Sequence, residues 1–309
     1  MKRIALAFLP ALLVLPVGLH AQELAKDALA SFPPDTIRLE YSNPHKLRAL
    51  PNYQSLRQRF AGARLQKLVD SLGQIGVREE DVDETVLGFR LGSAEADLYG
   101  FASGRFDARL LSDRAAEQGI PPSTIAGQQG YCLGASVNSP CVATLGRSRG
   151  AFGTLTLLTS MLEARAGQSP GLASNEEFAR LVSEAPTSST IWGVALGPAV
   201  ADWFKGWMPG QGNVQMDWGS VFQSVDALTY GVDAAQQVNL NLKLSCRSAE
   251  AASSLRQVLE GLKLAQQLSW QSMNPGRSNP YQAMQVELRG SQVLLRLTTD
   301  YGALEGVSP

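Results

Sequence analysis

The chain has very few histidines: two in 309 residues, at positions 20 and 45. Active sites and metal sites that need several histidines, including the H-E-x-x-H motif, are therefore excluded. A surplus of charge of one sign is also absent, because 27 basic side chains stand against 28 acidic ones and leave a formal net charge of −1. Without a basic surplus, we expect no nucleic-acid partner.

Motifs for nucleotide binding and for a lysine-activated serine are missing as well. None of the seven lysines follows a glycine directly or has a serine three positions before it. The P-loop and the S-x-x-K pair are therefore excluded. The Gly-x-Gly at residues 210–212 follows no predicted strand and does not continue as a dinucleotide fingerprint. We predict no cofactor and no metal site.

The N-terminus has the order of an export signal. Lys2 and Arg3 form a short positive region, residues 4–19 form an uncharged apolar run, and Ala21 is followed by polar residues. This order predicts a signal peptide over residues 1–21 that is cleaved after Ala21. The alternative is an uncleaved anchor helix, but the apolar run is shorter than the ~20 residues of a spanning helix. We therefore expect no transmembrane segment after cleavage.

The three cysteines fit an oxidising compartment. Cys132 and Cys141 flank the turn-forming residues 138–140, which allows them to face each other across a hairpin or loop. We predict a disulfide between them, with three unpaired core cysteines as the alternative. Cys246 lies in an alternating strand pattern, which indicates a buried free thiol.

The chain contains an internal repeat. Residues 82–89 resemble residues 225–232 at an offset of 143, with matching Val, Asp and Gly positions. Each segment is followed by a second alternating stretch and then by a helical pattern. The order of elements agrees in both halves, which favours duplication over coincidence.

The repeat predicts the domain organisation. Residues 32–150 form a first α+β half, residues 151–187 a helical connector, and residues 188–309 a second α+β half. The predicted order of elements in each half is strand–helix–strand–strand–helix–strand, followed by an additional strand. The predicted fold class is therefore α+β, with two tandem ferredoxin-like (βαββαβ) halves joined by the connector.

Four short segments carry a resemblance to a group of known proteins. Residues 33–36 open the first strand, residues 175–178 open a connector helix, residues 191–194 form a buried strand, and residues 249–252 begin a helix behind a strand. In these features the chain resembles uncharacterised exported bacterial proteins with duplicated ferredoxin-like α+β halves. The resemblance implies no activity, substrate or catalytic residue.

Aromatic residues are concentrated in one region, since four of the five tryptophans lie within residues 192–218. Trp203, Phe204, Trp207 and Met208 fall on one broad face of a predicted helix. One interpretation is an exposed surface for a ligand, a protein partner or a membrane. The other is a helix packed on its sheet, with the aromatic side chains in the core.

His45 and the acidic run at residues 78–84 can each be interpreted as a functional site or as ordinary surface structure. His45, the single histidine of the processed chain, follows a strand and is either a general base or an exposed loop residue; we favour the loop. The acidic run at residues 78–84 is either a Ca²⁺ site or a solvated turn, and we favour the turn because the features of an EF-hand loop are missing.

These observations predict an exported protein of the periplasm or the extracellular space. We expect a non-enzymatic binding or interaction scaffold of the bacterial envelope, whose partner is an unidentified protein or small ligand. The first alternative is an exported hydrolase whose carboxylates converge only in the fold. The second is a structural envelope protein that docks through the face formed by Trp203, Phe204, Trp207 and Met208.

Overall fold

A computed structural model describes residues 18–50, 52–54, 57, 63–91, 97–207, 217–276 and 278–301. The predicted signal region lies outside this description up to residue 17. The described strands are β1 Arg38–Ser42, β2 Val82–Arg90, β3 Asp97–Gly104, β4 Pro122–Ile125, β5 Gln128–Cys132, β6 Pro140–Thr144, β7 Arg149–Thr154, β8 Ile191–Leu196, β9 Val225–Ala234, β10 Val238–Cys246, β11 Gln285–Arg289 and β12 Gln292–Thr299. The helices are α1 Gly18–Ser31, α2 Pro44–Arg48, α3 Ala63–Gln74, α4 Ala108–Glu117, α5 Leu155–Arg165, α6 Glu176–Glu184, α7 Pro198–Trp207, α8 Trp218–Phe222 and α9 Ala249–Met273.

The twelve strands form one sheet with the order β11-β12-β10-β9-β8-β1-β2-β3-β7-β6-β5-β4. The predicted mixture of helices and antiparallel strands is thus confirmed. Strands β1 and β8, which open the two predicted halves, pair directly with each other, and Glu40 lies opposite Gly193. One continuous sheet therefore runs through both halves.

The ferredoxin-like arrangement of each half is not confirmed. A split βαβ unit sets its two helix-linked strands parallel, with another strand between them. Here β2 lies directly beside β1 and antiparallel to it, and β9 has the same relation to β8. The first half has the order β1-β2-β3-β7-β6-β5-β4 and the second half the order β8-β9-β10-β12-β11. Five strands of each half thus follow one another in a corresponding order, which differs from the predicted one, and the first half has β5 and β4 in addition.

The sheet has two differently covered faces. On the back face, Tyr41, Phe101 and Trp192 pack with apolar residues of α1, α5 and α6. The front face is covered in two places. At the first-half end, Leu87 and Phe152 pack against α3 and α4, and at the second-half end the apolar residues of β9, β10 and β12 pack against α7, α8 and α9. The front side of the central strands lies between these two helical layers.

Helix α1 is a core element that the sequence interpretation did not include. Leu24 and Ala28 of the helix, and Phe32 directly after it, are at most 1% exposed and belong to the core of the back face. On the other side of the helix, Asp27 forms ion pairs with Arg149 and Arg165. The predicted cleavage after residue 21 falls within this helix. Since Leu24, Ala28 and Phe32 all follow residue 21, cleavage there keeps them in the processed chain.

Candidate ligand-binding cavity

A large cavity lies on the front face of the sheet, between its two helical layers. Its volume is about 940 Å³, at the upper end of the roughly 300–1,000 Å³ that is typical of small-molecule sites. Leu68, Leu87 and Phe152 line it from the first half, whereas Leu240 and Leu297 line it from the second. The cavity is therefore a joint product of both halves.

The cavity has two arms, one over each half of the sheet, and both are mainly apolar. This follows from the alternation of side chains along the strands. In β10 and β12, every second residue faces the front, so that Leu240 pairs with Leu297 and Leu242 with Leu295. Most of their neighbours on the back face are polar, such as Asn241 opposite Arg296, with Leu294 as an exception. The sequence pattern of the outer strands thus directs leucines into the cavity.

The middle of the cavity floor is polar, in contrast to its arms. Arg38 and Glu40 lie on β1, two residues apart and therefore on the same face, and Arg38 Nη2 donates to Glu40 Oε2 at 2.6 Å. Tyr230 of β9 donates its hydroxyl proton to the same carboxylate oxygen. The Arg38 guanidinium also lies 4.3 Å from the ring centroid of Phe89, a cation–π distance.

Gly193 makes the contact between Tyr230 and Glu40 possible. Strand β8 lies between β1 and β9, and in this row Glu40 pairs with Gly193, which pairs with Tyr230. A Cβ atom at Gly193 would lie 2.5 Å from the hydroxyl oxygen of Tyr230 and 2.6 Å from the carbonyl oxygen of Leu39. The missing side chain therefore leaves the space through which the tyrosine reaches across β8.

The electrostatics of this cluster are those of a neutralised ion pair. Burial disfavours the charged guanidinium, but the interactions with the Glu40 carboxylate and with Tyr230 together outweigh this effect and raise the pKa of Arg38. Burial and the same carboxylate raise the pKa of Tyr230 well above its ordinary value, so its hydroxyl remains a neutral donor at physiological pH. Arg38 Nε is buried and has no hydrogen-bond partner among the described residues.

A second polar group lies at the first-half end of the cavity. Tyr53 donates to Glu79, and Arg57 Nε forms an ion pair with Glu79 Oε2 at 2.6 Å. Arg48 donates to the backbone oxygen of Val82 at 2.8 Å and so fastens α2 to the start of β2. Burial, followed by the contact with Glu79, raises the pKa of Tyr53. Arg57 and Glu79 therefore neutralise each other at this end of the cavity.

The aromatic residues predicted from the sequence lie at the second-half end of the cavity. Trp203 and Phe204 are each 1% exposed, so they form no exposed patch, and both line the cavity. The Trp203 ring is 4.7 Å from that of Tyr230, and the Phe204 ring is 4.1 Å from that of Phe222. The side chain of Trp207 and the whole of Met208 lie outside the described residues.

The predicted disulfide is confirmed. Cys132 of β5 and Cys141 of β6 lie directly opposite each other, with an S–S distance of 2.04 Å and a Cα–Cα distance of 4.0 Å. Cys246 is a buried free cysteine, and burial raises the pKa of its thiol.

Glu40 and Glu84, two carboxylates of the described central strands, do not converge. Glu40 lies on the front face and Glu84 on the back face, where Glu84 accepts a hydrogen bond from Tyr41 at 2.8 Å. His45 is exposed on α2. In the part of the chain that the structure describes, no group of three or more His, Cys, Asp or Glu is placed to hold a metal ion.

One motif that the sequence interpretation missed is a G-x-S-x-G pattern at residues 167–171. A nucleophile elbow needs a strand before this pattern and a helix after it. Here the pattern follows helix α5 and precedes a short 3-10 turn, so it does not form such an elbow. Arg38, Glu40 and Tyr230 were also missed as a group, and the signal available for them was the pair of opposite charges two residues apart in a strand pattern.

Comparison with known proteins supports the fold alone. No protein-family model matches this chain, and no curated protein does either. Crystal form I of TP0453, a Treponema protein, superposes with a TM-score of 0.50 at 12% identity, over 91% of this chain and 94% of that one. Crystal form III gives a TM-score of 0.49 at 11% identity, over 91% and 96%. The likeness to form I indicates a shared fold across most of both chains.

None of the described helices has both the length and the apolar character needed to cross a membrane.

Proposed function

We propose that this protein is an exported binding protein that holds an elongated, largely apolar small molecule in the cavity on the front face of its sheet. The observation that carries the proposal is the cavity itself, with a volume of about 940 Å³ and walls from both halves. Protein interiors are close-packed and contain few voids larger than a water molecule. A space of this size, lined by mainly apolar surface, is therefore unusual for a purely structural core.

The proposed ligand follows from the chemistry of the cavity walls. Burial of apolar surface stabilises a complex by about 25 cal/mol per Å² before the costs of association. The leucine pairs of β10 and β12 and the aromatic residues of α7 offer such surface on one side, and Leu87 and Phe152 offer it on the other. The charged groups at the cavity occur as pairs, so they exert no net attraction on an ion.

Export to the periplasm or the extracellular space is part of the proposal. Its support is the signal-like order of residues 1–21 and the disulfide between Cys132 and Cys141, which is compatible with an oxidising compartment. The non-enzymatic role is supported by the separation of Glu40 and Glu84 onto opposite faces of the sheet.

We also propose that the two halves arose by duplication. Support comes from the corresponding orders of five strands in each half, β1-β2-β3-β7-β6 and β8-β9-β10-β12-β11, to which the first half adds β5 and β4. The halves meet at the antiparallel pair of β1 and β8, so each contributes one arm of the cavity. Duplication would thus explain why the polar floor lies between two apolar arms.

Binding of a fluorescent long-chain apolar probe to the purified processed chain tests the proposed function. We expect saturable binding with one probe per chain, and loss of at least tenfold in affinity in Leu297→Asp, because a carboxylate would be buried in the cavity wall. The matched control is Leu294→Asp, since Leu294 is also half-buried on β12 but faces the back of the sheet.

The proposed function would be contradicted by two results. One is the absence of saturable binding by the folded wild-type chain. The other is an equal loss of affinity in Leu297→Asp and Leu294→Asp when both variants keep the circular dichroism spectrum of the wild type, because such a probe would not distinguish the two faces.

A further inference from the structure

We propose that Arg38, in the cluster that it forms with Glu40 and the buried Tyr230, binds an uncharged carbonyl oxygen, such as that of an ester or amide, in the middle of an otherwise apolar ligand. This inference rests on the proposed function and specifies its ligand class. It starts from the position of the cluster on the cavity floor, where strands of both halves meet and apolar arms extend to either side.

The cluster has hydrogen-bond donors to spare. A guanidinium carries five N–H donors. Nη2 donates to Glu40 and Nε is buried, so the donors left for a ligand are the remaining N–H groups of Nη1 and Nη2. The side chains of Arg38 and Glu40 are 18% and 19% exposed. Because both residues line the cavity, the accessible part of the guanidinium is in reach of a bound molecule.

Charge decides between an uncharged and an anionic acceptor. Glu40 already neutralises Arg38 and is itself held by the Tyr230 hydroxyl. A ligand carboxylate would add a second negative charge beside Glu40 in a poorly solvated cavity, which is unfavourable. A carbonyl oxygen accepts hydrogen bonds from the remaining N–H groups of Arg38 without adding charge, so it complements the cluster better than a carboxylate does.

The experiment compares three probes of equal chain length, a fatty methyl ester, the free fatty acid at pH 8 and the hydrocarbon, as competitors of a fluorescent apolar probe. For the wild type, we expect the ester to bind at least about tenfold more tightly than either of the others, since a hydrogen bond to a charged donor contributes this much. In Glu40→Gln, the guanidinium loses its counter-charge, so we expect the affinity for the free acid to rise at least tenfold relative to the affinity for the ester.

A double variant removes the charges together. In Arg38→Met with Glu40→Gln, no lone charge stays buried, and we expect the ester to lose its advantage over the hydrocarbon while the hydrocarbon still binds. The matched control is Arg90→Met with Asp35→Asn, which removes an ion pair between the end of β2 and the turn before β1 that does not line the cavity. This control variant should bind the three probes with the same order of affinities as the wild type.

The two kinds of failure are distinguishable. If the wild type binds the acid at least as tightly as the ester, or binds ester and hydrocarbon equally, the inference is wrong while the proposed function stands. If the folded wild type binds none of the three probes and does not take up the fluorescent probe, the proposed function itself is wrong.

Discussion

The substitution Gly193→Ala tests how the polar floor of the cavity is built. The added methyl carbon would lie 2.5 Å from both Cζ and the hydroxyl oxygen of Tyr230, and 2.6 Å from the carbonyl oxygen of Leu39. Carbon atoms pack at about 3.5–4.0 Å, so either the tyrosine or the backbone of β1 must move. We expect a loss of about 1–3 kcal/mol in the free energy of unfolding, the usual cost of overpacking a filled site.

Equilibrium urea unfolding measures this loss, and a second position provides the control. A Cβ atom at Gly261, on the exposed side of α9, would have no neighbouring atom within 4 Å, so Gly261→Ala should stabilise the chain by up to about 1 kcal/mol through helix propensity. In the Tyr230→Leu background, Gly193→Ala should cost less than in the wild type, because part of the clash is gone. An unfolding free energy of Gly193→Ala equal to that of the wild type would refute the reasoning.

Three further predictions concern the rest of the fold. Replacing Cys132 and Cys141 by serine should lower the free energy of unfolding by roughly 2–3 kcal/mol because a loop constraint on the unfolded chain is lost; denaturant titration with and without reductant checks this. Phe32→Ala should lower the free energy of unfolding by about 3–5 kcal/mol, since the ring directly after α1 is fully buried. An unchanged unfolding midpoint would contradict the role of this segment in the core. The hydrogen bond from Lys243 lowers the pKa of Glu184, so its stabilising contribution is present at neutral pH and is lost as the pH falls through that lowered pKa; an NMR titration should show the pKa of Glu184 rising in Lys243→Met.

Local patterns predicted the individual elements well. The alternation of polar and apolar residues predicted strands such as β9 and β10, and the apolar spacing predicted α5 and α9. The turn at residues 138–140 also predicted the cysteine pairing. Residues 175–178 open α6 as expected, and the Asn175 side chain accepts a hydrogen bond from the backbone N–H of Phe178 at 3.1 Å.

Long-range features could not be predicted, for physical reasons. Strand alternation does not say which strand lies beside which, so a helix after β1 was compatible with the ferredoxin-like order as well as with direct pairing of β1 and β2. Export signals and core helices share apolar residues, and this obscured the role of Leu24 and Phe32 next to the predicted cleavage site. Arg38 and Tyr230 are 192 positions apart in the sequence, and only the pairing of β1, β8 and β9 brings them together.

The most direct test of the account is a crystal structure of the processed chain bound to a bromine-labelled long-chain ester. The account predicts anomalous density for bromine on the front face, between Leu87 and Leu297, with the ester carbonyl next to the Arg38 guanidinium. A cavity filled by the protein's own side chains, or bromine bound only on the outer surface of the folded chain, would contradict it.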